Sequence, residues 1–71
     1  MRDPNRLETI YLIIKELHKK YFPDWRMMQL MNNFLSWYCD KYKTDGFYLE
    51  DTEFISKFKN FVREITGEYF D

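Results

Sequence analysis

Only two prolines and two glycines interrupt this chain of 71 residues, and they divide it into three segments. Pro4 and Pro23 precede two of the segments, Gly46 lies in a polar stretch before the third, and Gly67 follows the third. Within each segment the apolar residues recur three and four positions apart, which is typical of amphipathic helices. The pattern therefore predicts an all-α chain with three helices.

The predicted helices cover about residues 4–21, 25–42 and 52–66. Asp24 and Asp51 stand just before the second and third helices, where an acidic side chain can accept hydrogen bonds from free backbone amides. Asp45-Gly46 predicts a turn in the loop between these two helices. We therefore expect Asp24 and Asp51 to act as helix caps.

The second segment is apolar over an arc of about 200° on a helical wheel. The residues of this arc are Met27, Met28, Leu30, Met31, Phe34, Leu35, Tyr38, Cys39 and Tyr42. An arc of this width predicts a helix that lies between two others. Residues 1–71 are thus expected to form one domain, a three-helix bundle with the second helix central.

Single residues limit the chemistry that is available. One cysteine, Cys39, cannot form an internal disulfide, and with one histidine, His18, it cannot supply the usual ligands of a zinc site. Both residues fall on or beside apolar arcs, where core or boundary roles are common. The longest apolar run, Ile10–Ile14, is far shorter than a membrane span. We predict a cytoplasmic protein that is not an enzyme and needs no cofactor or metal.

The charge distribution gives little support for nucleic-acid binding. Lys and Arg number 11 against 12 Asp and Glu, and the third helix is acidic. The alternative to a protein-binding role is a small nucleic-acid-associated regulator that uses basic residues near the N-terminus. These residues are Arg2, Arg6, Lys15, Lys19 and Lys20.

Aromatic residues make up 21% of the chain, and most of them lie on helix stripes where they are expected to fill the core. A smaller set is harder to place in a core. It consists of Leu12, Trp25, Trp37, Tyr48 and Phe70. Because Trp and Tyr are enriched at interface hot spots, we predict that these five residues bind a partner protein or a second copy of the chain.

A polar stripe runs along the second helix through Arg26, Gln29 and Asn33. It is either a solvated face or part of a structural network. In the network, Arg26 would pair with Asp51 or Glu50, and Gln29 or Asn33 would bind the loop backbone.

Three motifs together resemble a known family. They are Met1-Arg2-Asp3-Pro4-x-Arg6, Pro23-Asp24-x-Arg26-x-x-Gln29-Leu30-x-x-Asn33 and Phe47-Tyr48-x-Glu50-Asp51. They resemble a group of short uncharacterised bacterial and phage proteins that is more distantly similar to the YihD family. The resemblance spans residues 1 to about 55 and implies an all-helical cytoplasmic domain without assigned activity or catalytic residues. Trp25 departs from the family pattern, which favours a smaller aliphatic residue there.

The combined interpretation is a non-enzymatic protein-interaction module. If the chain comes from a mobile element, as small proteins of this group often do, its partner would be a host protein.

Overall fold

The computed structural model describes residues 3–68, apart from the side chain of Tyr48. It contains three α-helices of equal length and one short 3₁₀ helix. In chain order they are α1 (Arg6–Tyr21), α2 (Met27–Tyr42), the 3₁₀ helix (Gly46–Tyr48) and α3 (Asp51–Thr66). No strand occurs within residues 3–68. The predicted all-α three-helix bundle is confirmed, with each helix start within two residues of its expected position.

The start of α2 differs from the prediction that Asp24 caps it. The N-cap residue is Arg26, and its backbone N–H donates to Oε1 of Gln29 at 2.8 Å. Asp24 lies exposed in the connection between α1 and α2. The connection closes as a tight turn in which the Trp25 N–H donates to the Phe22 carbonyl at 3.0 Å, and this turn delays the helix start.

The third helix begins one residue earlier than expected. Glu50 is its N-cap residue, and Asp51, predicted to be the cap, is the first helical residue. Its carboxylate Oδ2 accepts a hydrogen bond from Nε of Arg6 at 2.5 Å, which joins the beginnings of α1 and α3. Acidic groups in the first turn also interact favourably with the helix dipole.

Both later helices end in a left-handed residue. Gly67 has a φ of 75°, as expected for a glycine at this cap position. Lys43 ends α2 with a φ of 56°, which nothing in its residue type predicted, and its N–H donates to the Cys39 carbonyl at 2.8 Å.

The core is an aromatic cluster around Phe34 of α2. The Phe34 ring lies 5.2–5.7 Å from the rings of Phe54, Phe58 and Phe61 of α3, each in an edge-to-face arrangement. Such contacts contribute about 0.5–1.5 kcal/mol each beyond the burial of area. The buried residues are Ile10, Ile14, Phe22, Leu30, Phe34, Tyr38, Phe58, Phe61 and Val62.

The prediction that the second helix is central is wrong. The third helix, α3, lies against both α1 and α2, whereas the backbones of α1 and α2 approach each other less closely. Met27, Met28, Leu35 and Cys39 of the predicted 200° arc are exposed. The reason is that α3 fills the centre with bulky rings, so α2 needs only one narrow buried stripe, formed by Leu30, Phe34 and Tyr38.

The helix directions follow from contacts at the helix ends. Arg6 and Asp51 join the starts of α1 and α3, and Phe22, just beyond α1, contacts Phe61 in the second half of α3. These two helices therefore run in the same direction. The second half of α2 lies against the C-terminal half of α3, where Trp37 contacts Phe61 and Lys41 forms an ion pair with Glu64. Within residues 3–68, no helix combines the length and the apolar character that crossing a membrane requires.

The aromatic core generates a stability prediction. Phe58→Ala removes a fully buried ring and should lower the free energy of unfolding by about 3–5 kcal/mol, measured by urea denaturation followed by circular dichroism. Phe47→Ala is the matched control, because this ring is 78% exposed and its loss should change stability by no more than about 0.5 kcal/mol. Equal effects of the two substitutions would contradict the assignment of the core.

Candidate interaction surface

The residues predicted to bind a partner do not form one surface. Leu12 is 53% exposed, as expected, but it lies on the face of α1 opposite the core, among charged residues. Its helical neighbours are Glu8, Lys15, Glu16 and Lys19. A single exposed leucine among charges is ordinary for a protein surface and marks no site by itself.

Trp25 packs onto the core. Its ring is half-buried and stacks on Phe22, with a centroid separation of 4.1 Å and an interplanar angle of 10°. Nε2 of His18 lies 2.7 Å from the Trp25 carbonyl oxygen, so the imidazole donates this hydrogen bond. The exposure on which the interface prediction for Trp25 depended is therefore largely absent.

Trp37 is also half-buried, against the C-terminal half of α3. Its ring lies 5.5 Å from Phe61 and 5.9 Å from Phe34, and the ammonium of Lys41 lies 5.2 Å from its centroid. The ammonium of Lys41 forms an ion pair and a hydrogen bond with Glu64. The hydrogen bond raises the pKa of Lys41 above its ordinary value, and desolvation has a smaller opposing effect. Trp37 thus supports the bundle.

Of the other two predicted residues, the side chain of Tyr48 and all of Phe70 lie outside the described residues.

The expected polar network is replaced by a different pairing. Asp51 bonds to Arg6, and Arg26 has no ion pair within residues 3–68. Gln29 binds the backbone of Arg26 at the start of α2, and Asn33 is exposed to solvent. The solvated-face interpretation of this stripe therefore describes it better than the network does. Glu50 is exposed and serves as the N-cap of α3.

A groove lies where α1 and α2 diverge. It has a volume of about 320 Å³ and is lined almost entirely by apolar side chains from α1, α2, the 3₁₀ helix region and α3. The lining residues are Leu7, Ile10, Tyr11, Ile14, Met31, Phe34, Leu35, Gly46, Leu49, Asp51 and Phe54. The groove forms because α3 separates the other two helices and fills only the inner part of the space between them.

Large apolar side chains also border this groove on its solvent side. Tyr11 is 62% exposed on α1, and Leu35 is 44% exposed on α2. Met28 lies three and seven residues before Met31 and Leu35, so these three share one face of α2, and Met28 is 74% exposed. Phe47 is exposed on the 3₁₀ helix between the lining residues Gly46 and Leu49. We call the groove with Tyr11, Met28, Leu35 and Phe47 the groove surface.

Gly46 sets one end of the groove surface. A Cβ atom at this position would lie 2.8 Å from Cδ2 of Leu35, which is closer than carbon atoms approach in proteins. The glycine lets the loop pack directly against α2. Any side chain here would displace Leu35.

The amino-acid sequence contains only weak signals for this surface. Leu35 lies in the predicted apolar arc of the second helix, and Phe47 belongs to one of the three motifs, but neither observation predicts exposure. The width of the apolar arc of α2 was the available signal, because an arc wider than the bundle can cover must leave some apolar residues in solvent.

Other features of the described residues give less support for a functional site than the groove does. A polar cleft of about 340 Å³ is lined by Lys41, Asn60, Arg63 and Glu64, where Lys41 and Glu64 neutralise each other.

His18 and Cys39 lie far apart. His18 contacts the connection just before α2, whereas Cys39 is twelve residues, about 18 Å, along α2 from its start. Cys39 is exposed, so its predicted core role is wrong. Within residues 3–68, no three His, Cys, Asp or Glu side chains form a group that could hold a metal.

No protein-family model matches this chain, and no curated protein or solved structure shows significant similarity to it. The resemblance of its motifs to short bacterial and phage proteins and to the YihD family stays a prediction.

The placement of Trp37 can be tested against that of Leu12. Trp37→Ala should lower the free energy of unfolding by about 2–3 kcal/mol, somewhat less than a fully buried ring, because the indole supports Phe34 and Phe61. Leu12→Ala should change it by no more than about 0.5 kcal/mol. Thermal unfolding of both variants measures the difference. A Trp37→Ala variant as stable as the wild type would contradict this placement and indicate that Trp37 is a surface residue.

Proposed function

We propose that this chain is a non-enzymatic protein-interaction module that binds through the groove surface. The observation that carries the proposal is the clustering of exposed Tyr11, Met28 and Leu35 around a groove with an apolar lining. Clustered exposed apolar side chains are typical of interaction sites, whereas scattered ones are not. Methionine side chains are common on such surfaces because they adapt to different partners.

A catalytic role receives no support from the positions of the reactive side chains. A nucleophile needs a base within hydrogen-bonding distance, and Cys39 lies about 18 Å along α2 from the end that meets His18. The imidazole Nε2 is already used to bind the carbonyl of Trp25. A cytoplasmic location remains part of the proposal, since a single cysteine fits a reducing compartment.

Nucleic-acid binding through α1 is the rival function. Lys15, Lys19 and Lys20 are exposed, but Arg6, another residue of the proposed basic set, is held by Asp51. Binding to phosphates would weaken steeply between about 50 and 200 mM salt, whereas association through apolar surface would change little.

The test compares two leucines of similar exposure on opposite sides of the molecule. Immobilised wild-type chain, Leu35→Glu and Leu12→Glu are used to capture proteins from a lysate at low and high salt. Proteins that bind through the groove surface should be retained by the wild type and Leu12→Glu at both salt concentrations. They should be lost from Leu35→Glu, where a carboxylate would be buried against apolar groups.

Captured proteins are then purified and titrated against the same three chains by calorimetry. Leu35→Glu should weaken binding at least about a hundredfold, and the wild-type reaction should have a negative heat-capacity change, the marker of buried apolar surface. Retention of the same proteins by Leu35→Glu, or retention that high salt abolishes, would contradict the proposal.

A further inference from the structure

Asp45 and Gly46, in the loop between α2 and α3, form a pair that is open to spontaneous chemical change. The backbone nitrogen of a residue can attack the side chain of an Asp or Asn before it, and a side chain on the attacking residue hinders this step. Glycine has no side chain to do so. Gly46 follows Asp45, whereas the other glycine, Gly67, follows Thr66. Asp45 is exposed, so water reaches its carboxyl group.

The reaction at this pair has two steps. In the first, the Gly46 nitrogen attacks Cγ of the protonated Asp45 carboxyl group, a C–O bond breaks, and the carboxyl OH leaves as water with the amide hydrogen. In the second, water opens the resulting five-membered imide. Opening at Cγ restores aspartate, whereas opening at the main-chain carbonyl leaves isoaspartate, in which Gly46 is bonded through Cγ. The sum of the two steps is an isomerisation that needs no co-reactant except water.

The folded loop holds Asp45 in a conformation that does not react. Ring closure requires the C–N bond to Gly46 to eclipse the Cα–Cβ bond of Asp45, and at a ψ of 130° the C–N bond is rotated far from that position. Oδ1 of Asp45 also accepts a hydrogen bond from the Phe47 N–H at 3.0 Å, which fixes the carboxyl group. The peptide between Asp45 and Gly46 has to rotate before the nitrogen can reach Cγ.

The contacts of Gly46 oppose this rotation. Its carbonyl accepts a hydrogen bond from the Leu49 N–H at 3.1 Å. Its backbone packs so closely against α2 that a Cβ atom would lie 2.8 Å from Cδ2 of Leu35 and 3.5 Å from the ring of Tyr38. Rotation of the peptide therefore requires the loop to separate from α2.

We propose that Asp45 is a modification site, where isoaspartate forms when the loop separates from α2 and where the folded loop suppresses the reaction. The product has one additional main-chain bond between Asp45 and Gly46, and its carboxylate is attached directly to Cα. The carboxylate is thus displaced from the Phe47 N–H, and the longer main chain does not fit the close contact with Leu35. Conversion therefore releases the 3₁₀ helix from α2 without a change in net charge. This inference does not depend on the groove surface binding a partner.

The first experiment compares the folded chain with the unfolded chain. The wild type is incubated at neutral pH with and without guanidinium chloride. After removal of the denaturant, isoaspartate is quantified by methylation with an isoaspartate methyltransferase and located by mass spectrometry of peptides. The unfolded chain should form isoaspartate at Asp45 at least about tenfold faster than the folded chain, because the free energy of loop opening sets this ratio. Asp45→Ser, whose hydroxyl can accept the same hydrogen bond, should form none in this loop.

The second experiment tests the contact with α2 by a matched pair of leucine substitutions. Leu35→Ala removes the side chain against which Gly46 packs and should accelerate isoaspartate formation in the folded chain about fivefold. Leu12→Ala removes an exposed leucine on the outer face of α1 and should react at the wild-type rate. Circular dichroism verifies that both variants are folded.

The third measurement follows the consequence of the modification. The isoaspartyl chain is purified from the unfolded incubation, refolded and digested with chymotrypsin. Cleavage after Phe47 should be about fivefold faster than in the aspartyl chain, as expected for the loss of one side-chain cap.

Three results would overturn the inference. The first is an unfolded chain without isoaspartate at Asp45, and the second is an equal rate of formation in the folded and unfolded chains. The third is an isoaspartyl chain that chymotrypsin cleaves after Phe47 no faster than the aspartyl chain. Equal rates in Leu35→Ala and Leu12→Ala would contradict the role assigned to the contact with α2.

Discussion

The packing of Phe34 against the rings of α3 is the interaction on which the rest of the structure depends. Phe34 meets Phe54, Phe58 and Phe61 edge to face, and all but the first of these α3 rings are almost fully buried. Helices of 16 residues are marginal in isolation, so this aromatic cluster has to stabilise them. Because the rings occupy the centre, α3 contacts both other helices, and α1 and α2 are left with a groove between them.

The same arrangement accounts for the location of the candidate site. The tryptophans have the residue type most common at interface hot spots, but both are used to close the ends of the core, Trp25 on Phe22 and Trp37 on Phe61. The exposed apolar area lies instead along α1 and α2, at Tyr11, Met28 and Leu35. Residue type alone is therefore a poor guide to the binding surface of so small a bundle, where both tryptophans and most of the phenylalanines are used in the core.

Local signals predicted the helices and several of their ends. The spacing of apolar residues located all three helices, and Gly67 ends α3 in the left-handed conformation expected of it. Asp24 and Asp51 do not act as the expected caps, for different reasons. A local turn from Phe22 to Trp25 delays the start of α2, whereas the carboxylate of Asp51 pairs with the distant Arg6. A partner 45 positions away in the chain cannot be identified from local sequence.

The amino-acid sequence by itself determined that this chain is helical, how many helices it has and which stripe of each is apolar, because those properties depend on residues three or four positions apart. Only the tertiary structure decided which helix is central and which apolar residues remain in solvent. An apolar arc of 200° on α2 is compatible with burial of both sides of this helix. Because the α3 rings are large, the bundle has room to bury only one side of α2. The groove surface exists because of that mismatch between the apolar area the helices carry and the area the bundle can cover.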